Sequence, residues 1–403
     1  MRFRHFILLV IALWAVMTGL ADDHDIVRYT FRWSPDGEWT AVGHLDGIVT
    51  VASSSNSQQK FELKHDAMVG DIEWSPDSSR IATTTLSPGG IIYIWDVKTG
   101  SLIKTLQADI SPDGGTDIAW NPKREILATI GFMADGGMPV QFWDTQTYEQ
   151  IGWATYAISV SMKWSPDGSY LAVTRNPAGL SLYDKFDVAD IQPKAELSGV
   201  SYIDWSPDST QIAAFKFSET MIVENNVGRY ERENWLTILD SNSLKEIAQL
   251  SQPSHDPAYP LTWSPDGSRI AILAGDRVDI IDAKSAALIK QYPVDPGYIT
   301  GTWSPFGGRL AINAHVGFST KNATQASDVL GITFVVPAPT HELLASIQAQ
   351  CVPEGVISKL PNATIVNTTS YIDAVSTDPS ISSGCADDLV AVAEALQVEQ
   401  KSQ

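Results

Sequence analysis

The stretch Trp33-Ser34-Pro35-Asp36-Gly37 lies between two short apolar segments, and variants of it recur along the chain. Proline presets the φ angle of a turn, aspartate bonds its own backbone, and glycine permits a positive φ. Each copy therefore predicts a tight turn between two strands. The copies begin between 40 and 58 residues apart, and each begins at a tryptophan: Trp33, Trp74, Trp120, Trp164, Trp205, Trp263 and Trp303.

Each repeat continues with further short apolar segments. The third segment of several units ends in a large residue followed by aspartate, as in Trp95-Asp96 and Trp143-Asp144, and a fourth segment completes the unit. This period fits a four-stranded propeller blade. A single four-stranded sheet cannot bury both faces, so successive units must stack. We therefore expect an all-β, seven-bladed β-propeller over residues 22–350, with the seven tryptophans packed between blades and residues 342–348 as the outer strand of unit seven.

The turn phrase and the Trp-Asp endings resemble the WD-repeat and related WD40-like propeller families. The resemblance covers about residues 25–345 and extends to bacterial exported members such as the periplasmic propeller component of the Tol system. The chain departs from the eukaryotic pattern, since Gly-His is missing before the tryptophan strands and Trp-Asp remains in two units only. The resemblance implies a platform for protein interactions, because these families mostly act in that way.

The first residues follow the pattern of a secretory signal. Basic Arg2 and Arg4 precede an apolar run over residues 6–16, and small residues end at Ala21. We expect residues 1–21 to be a signal peptide and the mature protein to be secreted or located in the periplasm or cell envelope. An uncleaved membrane anchor is the alternative, although the apolar run is shorter than the roughly 20 residues of a membrane span.

Charge and motif content narrow the classes of partner and activity. The formal net charge of −20 disfavours nucleic acid. The chain carries no metalloprotease, nucleophile-elbow, Walker or dinucleotide motif, and the turn aspartates are too sparse for calcium loops. We therefore expect a monomeric, non-enzymatic protein without cofactor or metal and, after cleavage, without a membrane span. An enzyme or small-ligand binder centred on the propeller channel remains the alternative, as does a component of envelope assembly.

Three units carry insertions between their second and third strands, over residues 133–138, 218–234 and 315–330. In an up-and-down blade these insertions share the face of the disc opposite the WSPDG turns. Loops on a rigid scaffold often carry recognition residues, so this face is the candidate binding surface for a protein or peptide. The candidate contact residues are Tyr230 and Arg232, with Met133 and Phe318 in the other insertions. Surface insertions without function are the alternative.

The repeat stops near residue 350, and a separate module follows over residues 351–403. Cys351 and Cys385 are the only cysteines and suggest one disulfide in an exported protein. Residues 386–398 show the apolar spacing of a short amphipathic helix. Its apolar face is expected to dock on the propeller or to be offered to a partner.

Overall fold

The computed structural model of the chain describes residues 30–402 with gaps at 45, 55–59, 86–90, 108–116, 131–138, 155–158, 176–178, 189–190, 225–226, 253–258, 295–298, 315–331, 336–340 and 362–367. The predicted signal peptide over residues 1–21 and the candidate contacts Met133 and Phe318 lie outside the described residues.

Six of the repeats form four-stranded antiparallel sheets whose strands lie side by side in chain order. Each first strand ends at the repeat tryptophan, and the WSPDG turn leads into the second strand. The strands are β1 Thr30–Trp33, β2 Trp39–Gly43, β3 Ile48–Ser53, β4 Lys60–Lys64; β5 Val69–Trp74, β6 Arg80–Thr85, β7 Ile91–Asp96, β8 Leu102–Gln107; β9 Asp117–Trp120, β10 Ile126–Ile130, β11 Val140–Asp144, β12 Gln150–Ala154; β13 Ser159–Trp164, β14 Leu171–Arg175, β15 Gly179–Tyr183, β16 Ala195–Ser198; β17 Val200–Trp205, β18 Gln211–Glu224, β19 Val227–Asp240, β20 Glu246–Gln249; and β21 Leu261–Trp263, β22 Arg269–Ala274, β23 Arg277–Asp282, β24 Leu288–Pro293.

The expectation of a seven-bladed propeller is wrong, because the described residues form six four-stranded blades. The last repeat forms a three-stranded sheet, here called the terminal sheet, from β25 Ile299–Trp303, β26 Leu310–Ala314 and β27 Ile332–Val335. The expected outer strand at residues 342–348 is helical instead. Leu343, Leu344 and Ile347 are buried in a helical core, and their spacing of three to four residues is that of a helix.

The sheets are arranged as a ring of neighbours. The first strand of each sheet, here called its inner strand, contacts the inner strand of the next sheet, and β25 of the terminal sheet contacts β1 of the first blade. Between the fourth and fifth blades, β14 and β15 also contact β17. Each apolar cluster of the propeller spans two neighbouring sheets, so burial requires the neighbour. Among the described residues, the cluster joining the first blade to the terminal sheet is the smallest, with Phe31, Trp33, Val42 and Ala311.

All seven repeat tryptophans are buried. Three of them donate their indole N–H to the preceding sheet: Trp164 to the carbonyl of Ala119 at 2.9 Å, Trp205 to that of Lys163 at 3.1 Å, and Trp303 to that of Thr262 at 3.2 Å. Each acceptor lies one residue before the tryptophan of the preceding repeat. The tryptophan therefore both fills the space between sheets and fixes their register.

The WSPDG turn is held by its serine and aspartate. In the first turn the Ser34 hydroxyl donates to Asp36 at 2.5 Å, and Asp36 accepts the Glu38 backbone N–H at 3.0 Å. Gly37 takes a positive φ of 74°, a conformation that glycine adopts without steric cost. The same serine–aspartate pair recurs at residues 75 and 77, 165 and 167, 206 and 208, and 264 and 266.

After the terminal sheet the structure describes four helices: α1 His341–Cys351, α2 Glu354–Ile357, α3 Thr368–Thr377 and α4 Ser383–Ser402. The last is longer than the helix predicted over residues 386–398. The expected disulfide is present between Cys351 and Cys385 and joins α1 to α4. None of the helices in the described part of the chain is long and apolar enough to cross a membrane.

Candidate protein-interaction surface

The insertion in unit five is an extension of two strands and not a loop. β18 and β19 pair without interruption from Gln211↔Asp240 to Glu224↔Val227, whereas the neighbouring β17 pairs with β18 only as far as Lys216. On the other side, β20 pairs with β19 from Thr237 to Leu239. Residues 217–224 and 227–234 therefore form a two-stranded ribbon, here called the arm, that projects beyond the rest of its blade.

The base of the arm is anchored in the blade. Asn234 and Phe215 are buried, and the backbone N–H of Phe217 donates to the carbonyl of Gly199 at 2.8 Å. The Lys216 ammonium pairs with Glu246 at 3.2 Å and lies 5.4 Å from the centre of the Trp235 ring. The arm thus leaves the propeller from a fixed position.

One face of the arm carries a mixed apolar and charged surface. In an antiparallel pair directly opposite residues share a face, so Glu219↔Arg232 and Met221↔Tyr230 lie on the same side as Phe217. The Arg232 guanidinium donates two bonds to Glu219 Oε1, at 3.1 and 2.8 Å, and stacks 3.9 Å from the centre of the Phe217 ring. The arm therefore has the Arg232–Glu219 ion pair near its base and the side chains of Met221 and Tyr230 further out.

Met221 and Tyr230 are the most exposed part of this face. Their side chains are 57% and 72% exposed, although both are large and apolar or amphipathic. The Arg232–Glu219 pair and the cation–π contact each contribute about 1 kcal/mol or less at an exposed site. A two-stranded ribbon is only marginally stable in water, so burying this face against another molecule would stabilise it.

The structure brings Tyr230 and Arg232 to the same face of the arm, and their role as contacts stays a prediction. Sequence reasoning missed Met221, Glu219 and Phe217, which complete that face. The alternation of residues between 217 and 221 was the available signal, because every second residue of a strand points to the same side.

A second group of charged residues lies on the inner strands. Asp71 accepts from Arg32 at 3.0 Å, and Lys163 pairs with Asp204 at 2.8 Å. Glu73 lies 3.6 Å from the Arg32 guanidinium. Charged residues therefore pair between the inner strands β1 and β5 and between β13 and β17, as a channel-centred site would require.

The acids of this group are used to join blades. Asp71 accepts the backbone N–H of Ile118 at 3.3 Å, Asp117 that of Met162 at 2.8 Å, and Asp204 that of Trp263 at 2.7 Å. In each case the donor belongs to the inner strand of the following blade. Burial, and next the charge of Asp71, raise the pKa of Asp117 well above its ordinary value. This geometry supports a structural role for the inner acids.

Burial raises the pKa of Glu73 to about 7, with Arg32 partly opposing the effect. The folded chain then binds this proton more tightly than the unfolded chain, whose glutamate has a pKa near 4.5. The contribution of Glu73 to the free energy of unfolding is therefore fully present below pH 4.5 and is lost as the pH rises through about 7. We expect Glu73→Gln to be more stable than the wild type at pH 8 by about 1–2 kcal/mol, and equal to it at low pH.

Urea unfolding at about pH 4 and at pH 8 measures this difference, and Glu62→Gln, at an exposed position of β4, is the matched control. If the free energies of unfolding of the wild type and of Glu73→Gln changed in parallel with pH, the pKa of Glu73 would not be raised in the folded protein.

Comparison with known proteins agrees with this architecture. Residues 45–177 match the family model described as eukaryotic translation initiation factor eIF2A. The chain is similar to Protein HIR1 of Candida albicans, with 23% identity over 61% of the chain and 31% of that protein. It is also similar to WD repeat-containing protein 1 of Xenopus tropicalis, with 26% identity over 47% of the chain and 32% of that protein, and to Actin-interacting protein 1 of Drosophila melanogaster, with 23% identity over 47% and 32%.

Among solved structures, a chain of the structure titled Crystal Structure of Mitotic Checkpoint Complex superposes with a TM-score of 0.57 at 17% identity, over 76% of this chain and 85% of that one. The fold is therefore that of a WD40-like propeller, and the sequence is similar to WD-repeat proteins. The chain spans about a third of the length of these curated relatives.

Proposed function

We propose that this protein is a non-enzymatic scaffold that binds a protein or peptide partner through the arm. The observation that carries the proposal is the exposed pair Met221 and Tyr230, held on a ribbon that pairs beyond the rest of its blade. Tyrosine, methionine and arginine are enriched in protein interfaces, and all three occur on one face of the arm. The similarity to WD-repeat proteins supports a binding role over a catalytic one. The inner acids support it as well, because they are engaged in joining blades.

The position of the helices also supports this face as the binding surface. The arm leaves the fifth blade at the end opposite its WSPDG turn, which lies at residues 205–211. Helix α4 instead contacts WSPDG turns, at Gly37 in the first blade and at Ser304 and Gly308 in the terminal sheet. The helices and the arm therefore lie on opposite faces of the disc, and the helices leave the arm uncovered.

Shortening the arm tests the proposal. Ser218 and Glu233 are directly opposite in the register, so an Asn-Gly turn can replace residues 219–232 without disturbing the blade. We expect the shortened protein to keep its melting transition within a few degrees and to lose the proteins that the wild type retains from an extract of its own source, by about tenfold or more. Quantitative mass spectrometry of the retained proteins is the measurement.

A matched control removes exposed apolar surface elsewhere. Leu102 and Ile103 are exposed on the outer strand β8, so Leu102→Ala/Ile103→Ala should retain the same proteins as the wild type. Equal retention by the shortened protein and the wild type, with both folded, would contradict binding through the arm. Equal loss in the control would show that retention depends on any exposed apolar surface.

The proposal includes export, as in the bacterial exported propellers that the repeat resembles. The basic and apolar pattern of residues 1–21 supports it, and so does the disulfide, which persists in oxidising compartments. Sequencing the amino terminus of the protein purified from its source should find Asp22 as the first residue. An amino terminus at Met1 in a cytosolic fraction would overturn this part of the proposal.

A further inference from the structure

The terminal sheet lacks two features that most of the other repeats share. It has three strands in the described part of the chain, and its turn, Ser304-Pro305-Phe306-Gly307-Gly308, has phenylalanine where five other turns have aspartate. Without that carboxylate, the Gly308 N–H would have no acceptor within the turn, and the buried Ser304 hydroxyl would have only the Arg309 carbonyl, at 3.1 Å. The apolar cluster at this junction is also the smallest among those described.

The missing carboxylate comes from helix α4. Asp388 Oδ2 accepts the Ser304 hydroxyl at 2.6 Å and the Gly308 backbone N–H at 3.1 Å. These are the two donors that a turn aspartate serves elsewhere: Asp208 accepts the Ser206 hydroxyl at 2.6 Å and the Thr210 N–H at 3.0 Å. Asp388 thus completes the last WSPDG turn from 84 residues away, and its side chain is fully buried.

The same aspartate orients an arginine that crosses the junction. Asp388 Oδ1 accepts from Arg309 Nε at 2.7 Å, and the guanidinium of Arg309 lies 4.8 Å from the centre of the Trp33 ring in the first blade. Equivalent arginine–tryptophan contacts join Arg80 to Trp120 and Arg269 to Trp303 at other junctions. At the junction between the terminal sheet and the first blade, the Asp388 carboxylate of α4 holds the arginine beside Trp33.

Helix α4 also contacts the first blade directly. The Ser383 hydroxyl donates to the Glu38 carboxylate, and the Gly384 N–H donates to it at 3.3 Å. A Cβ on Gly384 would lie 2.5 Å from the backbone of Gly37, so the helix approaches the first turn as closely as glycine allows. The start of α4 therefore touches both ends of the ring.

We propose that the helical module, α1 to α4, is a clasp that closes the propeller. Asp388 of α4 supplies the carboxylate that the last turn itself lacks. The disulfide joins the first and last helices of the clasp, α1 and α4, next to the contact of Gly384 with the first blade. Opening of the clasp would free the edge of the ring between β25 and β1 while the other junctions stay closed.

Hydrogen–deuterium exchange of the full chain tests the clasp. In Asp388→Ala we expect exchange to become about tenfold faster or more in three places: the turn over residues 303–309, strand β1 and the start of α4. Asp388→Asn keeps the volume and an acceptor oxygen, so its exchange should lie between those of the wild type and Asp388→Ala. The matched control is Asp208→Ala, which should speed exchange in its own turn and leave α4 and β1 unchanged.

A second variant gives the last turn an aspartate of its own. It separates completion of the turn by a carboxylate from docking of α4 on the propeller. In Asp388→Ala/Phe306→Asp the last turn regains its own aspartate, so its protection should return while the start of α4 stays as fast as in Asp388→Ala. Wild-type exchange of the turn in both Asp388 variants would overturn the proposal, and so would failure of Phe306→Asp to restore it. Neither outcome depends on the arm, so the clasp and the binding proposal are tested independently.

Discussion

Replacing Trp205 by alanine is expected to lower the free energy of unfolding by about 3–5 kcal/mol, the range for removing a buried aromatic side chain. Trp205 is buried in a cluster with Leu180 and Leu182 of the preceding blade. Its indole N–H donates to the carbonyl of Lys163, and its ring stacks on that of Tyr170 at 6.4 Å. The substitution therefore leaves a cavity between two blades and removes a hydrogen bond between them.

The matched control is Trp153→Ala, because Trp153 lies 37% exposed on the outer strand β12. Chemical unfolding followed by circular dichroism should show a loss below about 1 kcal/mol for the control. Equal losses in the two variants would mean that the repeat tryptophan does not act as a wedge between blades.

Removal of the disulfide is expected to have an effect of similar size, confined at first to the helical module. Cys351 and Cys385 are separated by 34 residues, and in the chain-entropy model a loop of that length contributes about 3–4 kcal/mol. The bond lies within the core of the module and not in the propeller, so the module depends on it more than the propeller does. Cys351→Ala/Cys385→Ala should therefore lose its helical circular dichroism at lower denaturant concentration than the wild type.

The wild type treated with a thiol reductant should behave like the double variant, and the double variant should not respond to reductant. Mass spectrometry after alkylation verifies that the bond was reduced. Unchanged unfolding of the fully reduced wild type would show that packing of the helices on the propeller is sufficient without the bond.

The repeat made most of the propeller predictable, and its last unit was the exception. Serine, proline, aspartate and glycine act locally in each turn, so five turns with their serine–aspartate pairs could be expected from the sequence alone. Residues 342–348 are short and apolar, and such a segment fits a strand or a helix until its partners are known. The blade count was wrong because those partners are in α4 and its neighbours and not in β27.

Interactions between distant parts of the chain account for what sequence reasoning missed. Asp388 follows an ordinary pattern of acids at the start of a helix, and nothing local shows that it serves a turn 84 residues earlier. The inner acids likewise lie one or three residues before a repeat tryptophan, but only the ring brings the backbone N–H donors of the next inner strand beside them. Tyr230 and Arg232 could be selected by residue type. Met221 could not, because only the register of the arm places it directly opposite Tyr230.

The most direct test of the account is site-specific photo-crosslinking from the arm. A photoreactive phenylalanine derivative at position 230, with a second protein carrying it at the exposed position Lys123 on the opposite face, would be activated in an extract of the protein's source. We predict a discrete protein or peptide adduct from position 230 that is absent from position 123. Adducts of the same identity from both positions, or from position 123 alone, would contradict a binding surface on the arm.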